Sequence, residues 1–535
     1  MGREGRRTTA ARRLGPAAML SIAALIAAGP ARSQAPDREA RSPALALPLA
    51  DAPLPAVPKP ATTGPLVPGQ VIQPIDLASA LRLAGARDLD IAAARQQVLR
   101  ALGDLDEARG LWLPSLFTGP TYYRLDGQVQ TINGQVITVD RGSLFLGTTA
   151  SLANSFPAAP PGSGFPPLNT LSGVLRLSDA IYGSRAARRV IAANEAGVRV
   201  ALNDALRSVA EAYFDLQLAA GRLAIAREAA GNAEVLAGIT GTFARSRAGL
   251  EADYRRTLAE LRRRRGAVRV AVGDLEVASA NLVRPLLLDP HIVVAPVEPA
   301  EAVIRLVPDD VPLDDLICQG WRDRPELARA KELVEASILR LKQARLRPFV
   351  PSVALSYSGG GFGGGQNGFF GSFNTRGDVA ASLFWELRGL GLSDRGNCRV
   401  AEAQRRTADI DLIRVQARVA SDVVAAYKAR AAATGWMDEA RQSVAEALES
   451  LGLNLTNIRR GAQLPGATRP IEVLQPIQAL AQARADYLDA VLAYNRAQFR
   501  LVHAVGRPPA LSPDPRRPCP PAPPGTPAPA APARR

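Results

Sequence analysis

Residues 91–115 form the stretch IAAARQQVLRALGDLDEARGLWLPS, and residues 327–352 form the stretch LARAKELVEASILRLKQARLRPFVPS. Both place apolar residues three and four positions apart, which is the spacing of one face of an α-helix. Both then end in a Pro-Ser dipeptide that is followed by an apolar residue. The shared period and the shared terminator together predict that one helix-then-strand unit occurs twice in the chain.

The apolar positions of the two stretches correspond at a constant offset of 236 residues. The matching positions are Leu77, Ile91, Ala94, Val98, Leu102, Leu105 and Ala108 in the first copy and Leu313, Leu327, Ala330, Val334, Ile338, Leu341 and Ala344 in the second. A second correspondence, at an offset of 214, joins Val198, Ala205, Val209, Ala212 and Tyr213 to Leu412, Val419, Val423, Ala426 and Tyr427. The sequence therefore predicts an internal two-fold repeat of long helices.

The closing helix of the second copy has a different regularity. Leu480, Tyr487, Tyr494 and Leu501 recur every seven residues. This recurrence predicts sustained packing against neighbouring helices in the manner of a coiled coil.

Segments that follow each Pro-Ser dipeptide alternate between apolar and polar residues, which is typical of a strand with two unlike faces. Strands are predicted near residues 115–125, 171–178, 352–358 and 378–387. A long loop, which includes the Pro/Gly-rich residues 156–167, is predicted between the first two strands. A soluble β-hairpin subdomain is the alternative interpretation of these segments.

The composition favours a mainly helical protein with a small antiparallel β part. The 535 residues are 47% hydrophobic and 5% aromatic, and Ala, Leu and Arg head the scale of helix propensity. After the N-terminal region no run of about 18 apolar residues occurs, so a spanning structure would have to be a closed β-barrel. Four strands per chain are too few for a barrel, which needs about eight, so several chains are expected to contribute.

The first 33 residues predict a secretory signal peptide. A basic start precedes an apolar stretch, and small residues allow cleavage after Ser33. An N-terminal membrane anchor is the alternative, although the apolar stretch is short for one. The remaining chain divides into a Pro/Ala-rich leader (34–74), a first repeat (75–300), a second repeat (301–507) and a Pro/Ala/Arg-rich tail (508–535).

Over residues 75–507 the sequence resembles the TolC-type outer-membrane efflux proteins. The resemblance depends on the order and duplication of short motifs and not on any single one. The motifs are Arg247-Ala-Gly-Leu250 with Asp253, Pro470-Ile-Glu-Val-Leu474 leading into Ala479–Arg484, the pairs Ala212-Tyr213 and Ala426-Tyr427, and Ala504-Val505-Gly506.

The resemblance implies a homotrimer with a twelve-strand β-barrel in the outer membrane, continued by a periplasmic α-barrel. It also implies a periplasmic adaptor protein and an inner-membrane transporter as partners. Adaptor-docking tips are expected at Arg247, Gly249, Leu250, Arg460 and Gly461. Gate residues are expected at Glu446 and Glu449, and residues 462–469 make the second tip longer than is usual in the family.

No enzyme is predicted. His291 and His503 are the only histidines, and they are neither clustered nor part of a catalytic motif, so no catalytic, cofactor or metal site is expected. The three widely spaced cysteines predict neither a disulfide framework nor a metal site. The glycine-rich residues 359–365 are interpreted as an outer loop, and the arginines at 262–265 as solvated charge that favours anions in the lumen.

The sequence thus predicts an exported subunit of a passive exit duct for efflux or type I secretion. A periplasmic coiled-coil structural or adaptor-like protein is the alternative. The net charge of +15 would suit nucleic acid, but the export signal argues against such a partner.

Overall fold

The computed structural model describes residues 72–131, 133–152, 173–246, 250–366, 371–459 and 470–507. The helices of this part are α1 (Leu77–Arg87), α2 (Leu89–Gly110), α3 (Leu177–Arg245), α4 (Glu251–Leu286), α5 (Leu313–Asp323), α6 (Pro325–Leu346), α7 (Leu392–Arg459) and α8 (Leu474–Val505). Its strands are β1 (Ile72–Ile75), β2 (Pro114–Gln130), β3 (Val136–Leu152), β4 (Gly173–Arg176), β5 (Val293–Pro296), β6 (Ser352–Gln366) and β7 (Asn374–Phe384).

Helices of equal length recur along the chain. Helices α1 and α5 both have 11 residues, and α2 and α6 both have 22. The long helices α3 and α7 have 69 and 68 residues, which corresponds to about 100 Å each at 1.5 Å per residue.

Each short-helix pair is separated by one residue that cannot continue the helix. The Asp88 side chain ends α1 and caps α2, because its carboxylate accepts hydrogen bonds from the backbone N–H groups of Asp90 (2.8 Å) and Ile91 (3.3 Å). In the second half Pro325 takes the first position of α6, where its missing N–H is not needed. Different residues therefore produce the same break.

A two-stranded parallel sheet joins the start of the described chain to its middle. Strand β1 pairs with β5, and Glu298 accepts hydrogen bonds from the backbone N–H of Leu77 (3.0 Å) and from the Tyr213 hydroxyl. Burial and the adjacent Glu298 carboxylate raise the pKa of Tyr213. Because β1 begins at Ile72, the predicted leader, which ends at residue 74, extends too far into the fold.

The helices pack around several apolar clusters. The largest lies between α3, α4 and α8, where Phe214 and Phe499 meet edge to face with ring centroids 5.2 Å apart. A second cluster, around Leu316 and Leu501, joins α5 to α7 and α8. These clusters fix the helices that carry the sheet.

Two buried amides of α8 hold the connection between the halves. The Asn495 side chain accepts from the N–H of Ile304 (2.8 Å) and donates to the carbonyl of Ala302 (2.7 Å). The Gln498 side chain accepts from the N–H of Val307 at 3.0 Å. Since both side chains are fully buried, they replace the hydrogen bonds that a strand partner would supply.

We expect Asn495→Leu to lower the free energy of unfolding by about 3 kcal/mol, because a buried N–H and a buried carbonyl would lose their partners. Chemical denaturation of detergent-solubilised protein, followed by circular dichroism, measures the change. The control is Gln482→Leu on the same helix, whose exposed amide bonds only to Asp486. Equal effects of the two substitutions would contradict the assigned role of Asn495.

The C-terminal end of α8 lies against α5. Gly506 ends the helix with φ +86°, and a Cβ at this position would lie 2.7 Å from the Cα of Arg324. Arg507 then donates to the carboxylate of Asp323 at 2.9 Å. Burial raises the pKa of Asp323, but hydrogen bonds from Arg322 and Arg507 outweigh it and leave the pKa below its ordinary value.

The large antiparallel sheet has the order β2-β3-β6-β7. Strand β4 takes the same edge of β6 as β3, since Ser151 pairs with Ser356 and Gly173 pairs with Leu355. The sheet therefore has four strand positions.

Several strand bounds differ from the sequence predictions. Strand β3 occupies residues that were predicted as loop, and α3 begins at Leu177, inside the strand predicted for 171–178. The glycine-rich residues 359–365 belong to β6 and do not form an outer loop. In both strands hydrogen bonding to neighbours overrides weak local propensity.

Candidate functional site

The two faces of the large sheet differ in chemistry. Directly paired residues share a face, so the register assigns every side chain to one face or the other. One face is apolar and exposed; the side chains of Val379 and Leu146 are examples, with exposures of 73% and 59%. Its apolar members are Leu116, Pro120, Tyr122, Leu144, Leu146, Ala150, Leu175, Val353, Leu355, Tyr357, Val379, Ala381 and Leu383.

The apolar side chains form a band of limited height. On β7 they run from Val379 to Leu383, and on β2 from Leu116 to Tyr122, with the charged Arg124 and Asp126 beyond. Seven residues of extended chain cover about 20 Å. This height approaches the apolar band of about 25 Å that surrounds membrane-spanning β-barrels.

The opposite face is polar and partly buried. Thr149, Ser352 and Ser358 are at most 6% exposed, and Arg376 donates to Asp378 at 2.8 Å. Small and hydroxyl side chains dominate this face, with a few aromatic rings between them. Such a surface suits contact with water and solutes.

Aromatic side chains cover the glycines of the sheet. A Cβ added to Gly147 would meet the ring of Phe145, and a Cβ added to Gly363 would meet the ring of Phe373, within 2.7 Å. Tyr357 covers Gly359 in the same way, with its hydroxyl 2.6 Å from the Cβ position. Covering rings supply the packing that a glycine strand lacks, which explains why residues 359–365 form a strand.

Exposed aromatic residues collect where the sheet meets the helices. Trp112 and Phe349 end the segments that lead into β2 and β6, and Trp385 follows β7; all three are exposed. The indole N–H of Trp385 donates to the carbonyl of Phe349 at 3.2 Å. Tryptophan with an apolar ring and a polar N–H is enriched at the boundary between lipid and water.

Within the described ranges no helix is both long enough and apolar enough to cross a membrane.

The predicted docking residues fall around the helical turns. Leu250 immediately precedes α4 and is exposed. Arg247, Gly249, Arg460 and Gly461 lie outside the described residues. The docking role of these five positions stays a prediction.

The predicted gate residues lie on α7. Glu446 and Glu449 are both exposed in the single chain, three residues apart on the helix. Their role at a gate stays a prediction.

The arginines at 262–265 are largely paired within the chain. Arg263 and Arg264 donate to Glu260 at 2.9 and 2.7 Å, and Arg265 donates to Glu234 at 2.9 Å. Burial raises the pKa of Glu260, but the two arginine hydrogen bonds outweigh it and leave this pKa below its ordinary value. Only Arg262 of the four has no ion pair within the described chain, so a lumenal anion preference stays a prediction.

The two histidines form separate hydrogen bonds with carboxylates. His291 contacts Asp289 at 3.0 Å and His503 contacts Asp204 at 2.9 Å. The bond from His503 lowers the pKa of Asp204. Within the described residues, no group of three or more His, Cys, Asp and Glu side chains could hold a metal ion.

The long helices also carry apolar side chains without a neighbour in the same chain. Val270 and Val277, seven residues apart on α4, are exposed, as are Ile410, Ile413 and Leu453 on α7. A seven-residue spacing is typical of helices that pack side by side.

Comparison with known proteins gave matches at the level of structure. No protein-family model matches the chain, and no curated protein matches it significantly. The outer-membrane channel CmeC of Campylobacter jejuni superposes with a TM-score of 0.63 at 15% identity, over 80% of this chain and 85% of that one.

Two further solved structures show the same likeness. CusC, described through its folding and transmembrane channel formation, has a TM-score of 0.63 at 17% identity and covers 84% of this chain and 99% of its own. The open state of the MtrE outer-membrane channel of Neisseria gonorrhoeae has a TM-score of 0.59 at 20% identity and covers 81% and 89%. The resemblance seen in the sequence is therefore confirmed for the fold, and this chain has the fold of the TolC-type outer-membrane channels.

Proposed function

We propose that the chain is a non-enzymatic channel subunit of a tripartite efflux or type I secretion system, a passive exit duct across the periplasm and the outer membrane. The observation that carries the proposal is the exposed apolar face of the large sheet, opposite a polar face. A soluble subdomain would cover such a face, because leaving it in water costs free energy. This difference argues against the alternative of a periplasmic coiled-coil or adaptor-like protein.

The proposed assembly is a homotrimer. Strands β2 and β7 each pair on one side only within the described chain, and open edges cannot be left in lipid. Pairing β7 of one copy with β2 of the next closes the sheet, and three copies of four strand positions give twelve strands. The exposed apolar residues of α4 and α7, such as Val270 and Ile413, would pack between copies and form the periplasmic α-barrel.

We further propose that the chain arose by duplication, since α1 and α2 begin and end 236 residues before α5 and α6. The first repeat is assigned to residues 75–300 and the second to residues 301–507. Each repeat supplies two helices that lead to the sheet, strands, and a long helix that returns from it.

Export, localisation and partners complete the proposal. Residues 1–33 would be removed as a signal peptide, and the mature chain would insert into outer-membrane lipid with a large periplasmic portion. The turn beside Leu250 would meet a periplasmic adaptor protein, which joins the duct to an inner-membrane transporter. No nucleic acid and no cofactor take part.

Two measurements together test the function. We expect the mature protein to sediment with the outer membrane in a density gradient, to be released only by detergent, and to conduct ions when reconstituted in planar lipid bilayers. Recovery in the soluble periplasmic fraction would instead support the coiled-coil alternative. Recovery in the membrane without conductance would contradict the open duct.

A further inference from the structure

One of the three cysteines is engaged in a covalent bond. Cys318, half-buried on α5, is disulfide-bonded, whereas Cys398 on α7 is a free thiol. The expectation from spacing alone, that the cysteines form no disulfide framework, is therefore wrong at Cys318. The chain contains only these two cysteines and Cys519, and Cys519 lies outside the described residues.

We propose that Cys318 and Cys519 form an intrachain disulfide that fastens the C-terminal Pro/Ala/Arg-rich tail to helix α5. By count, Cys519 is the one partner in the same chain that remains for Cys318 once Cys398 is a free thiol.

The position of Cys398 supports this assignment. Helix α5 meets α7 where Gly320 lies against Val419 and Val423. Cys398 precedes Val419 by 21 residues on one continuous helix, a distance of about 32 Å along the axis. A disulfide requires Cα atoms within about 7 Å, so Cys398 cannot reach Cys318 in this fold.

The tail starts close enough to α5 for the link. The last described residue, Arg507, donates to Asp323 at the end of α5, and Cys318 lies five residues earlier on that helix, about 8 Å along its axis. Twelve residues separate Arg507 from Cys519, and an extended chain of this length reaches about 40 Å. The tail therefore needs to turn back along α5 and does not need to stretch.

The bond forms by ordinary thiol–disulfide chemistry. The two thiols lose two protons and two electrons as the sulfur–sulfur bond forms. A disulfide of a thiol–disulfide oxidoreductase takes up both electrons and both protons and becomes a dithiol. The proposal rests on the export part of the proposed function, because such bonds persist in oxidising compartments such as the bacterial periplasm.

The link is tested on the full-length protein purified from the cell envelope in detergent. Free thiols are alkylated before any reduction, and a tryptic digest is analysed by mass spectrometry without reductant. We expect one linked species that joins the peptides 306–322 and 517–534, with the alkyl group on Cys398. Alkylation of both Cys318 and Cys519, or a link from Cys318 to another copy of the chain, would overturn the proposal.

Two single substitutions make the assignment specific. Cys519→Ser is expected to change Cys318 from almost wholly protected to almost wholly alkylated, whereas Cys398→Ser should leave the linked peptide unchanged. Protein that reaches the outer membrane and conducts ions with both thiols free would remove the link and leave the channel intact. Protein retained inside the cell in reduced form would remove both.

Discussion

Replacing Gly360 by alanine is expected to reduce the amount of folded, membrane-inserted protein at least ten-fold. Gly360 of β6 faces Gly147 of β3, and the two backbones approach so closely that a methyl group has no space. A Cβ at Gly360 would lie 2.4 Å from the carbonyl oxygen of Leu146 and 2.5 Å from the Cα of Gly147. The obstructing atoms are backbone, so only a shift of the strands relieves the clash, at a cost of about 3 kcal/mol per chain.

The neighbouring glycine provides a matched control. A Cβ at Gly361 would meet only the carbonyl oxygen of Leu146, at an ordinary distance of 3.9 Å. Gly361→Ala makes the same chemical change one residue away, on the opposite face of the same strand, and should leave assembly unchanged. Heat-resistant oligomer on semi-native electrophoresis and protein in the outer-membrane fraction measure the difference. Similar behaviour of the two variants would show that the close approach of β3 and β6 does not limit folding.

Replacing Ala381 by arginine should be the second severe change. Ala381 lies in the middle of the apolar run Val379–Leu383 on β7, at the centre of the band proposed to face lipid. An arginine at the bilayer midplane costs about 2 to 4 kcal/mol in a membrane barrel. Because each trimer would carry three such residues, we expect little stable oligomer in the outer membrane.

Ser382 is the matched control, because it is exposed and adjacent to Ala381 but belongs to the polar face. Ser382→Arg should assemble normally and change the single-channel conductance, since its charge would face the lumen. If the two variants assembled equally well, the assignment of the faces would be wrong. If Ser382→Arg alone failed, the assignment would be reversed.

The helices could be predicted because their signals are local. The apolar period of residues 91–108 and 327–344, with the Pro-Ser terminators, marks α2 and α6 without any knowledge of their neighbours. The long α3 and α7 follow from a lack of breakers. These elements bury one face on helices of the same chain, so local pattern and tertiary packing agree.

The sheet was harder to predict because its strands depend on partners. Strand β3 carries the consecutive apolar residues Leu144, Phe145 and Leu146, which obscure the alternation, and β6 is rich in glycine. The turn at Asn133-Gly134 was the missed signal: Gly134 has φ +81°, and Asn-Gly between alternating residues is a strong hairpin indicator. The aromatic cover of the glycines has no sequence period and emerges only from the register.

The proposed docking and gate positions show a different limit. A turn near Leu250 could be predicted from the sequence, but its role depends on other molecules that approach it. The same holds for Glu446 and Glu449, whose exposure in one chain says nothing of the neighbours they would meet in a trimer. Residues of this kind follow from assembly and not from the folding of a single chain.

The interrupted edge beside β6 gives the chain a permissive site for insertions. Ser151 and Gly173 pair with adjacent residues of β6, so the ladder continues although the chain between them does not take part in it. The number of intervening residues is thereby uncoupled from strand register, and each doubling of that number costs only about 0.6 kcal/mol of closure entropy. An epitope tag or a fused peptide placed between residues 152 and 173 can therefore vary in length without altering how the strands align.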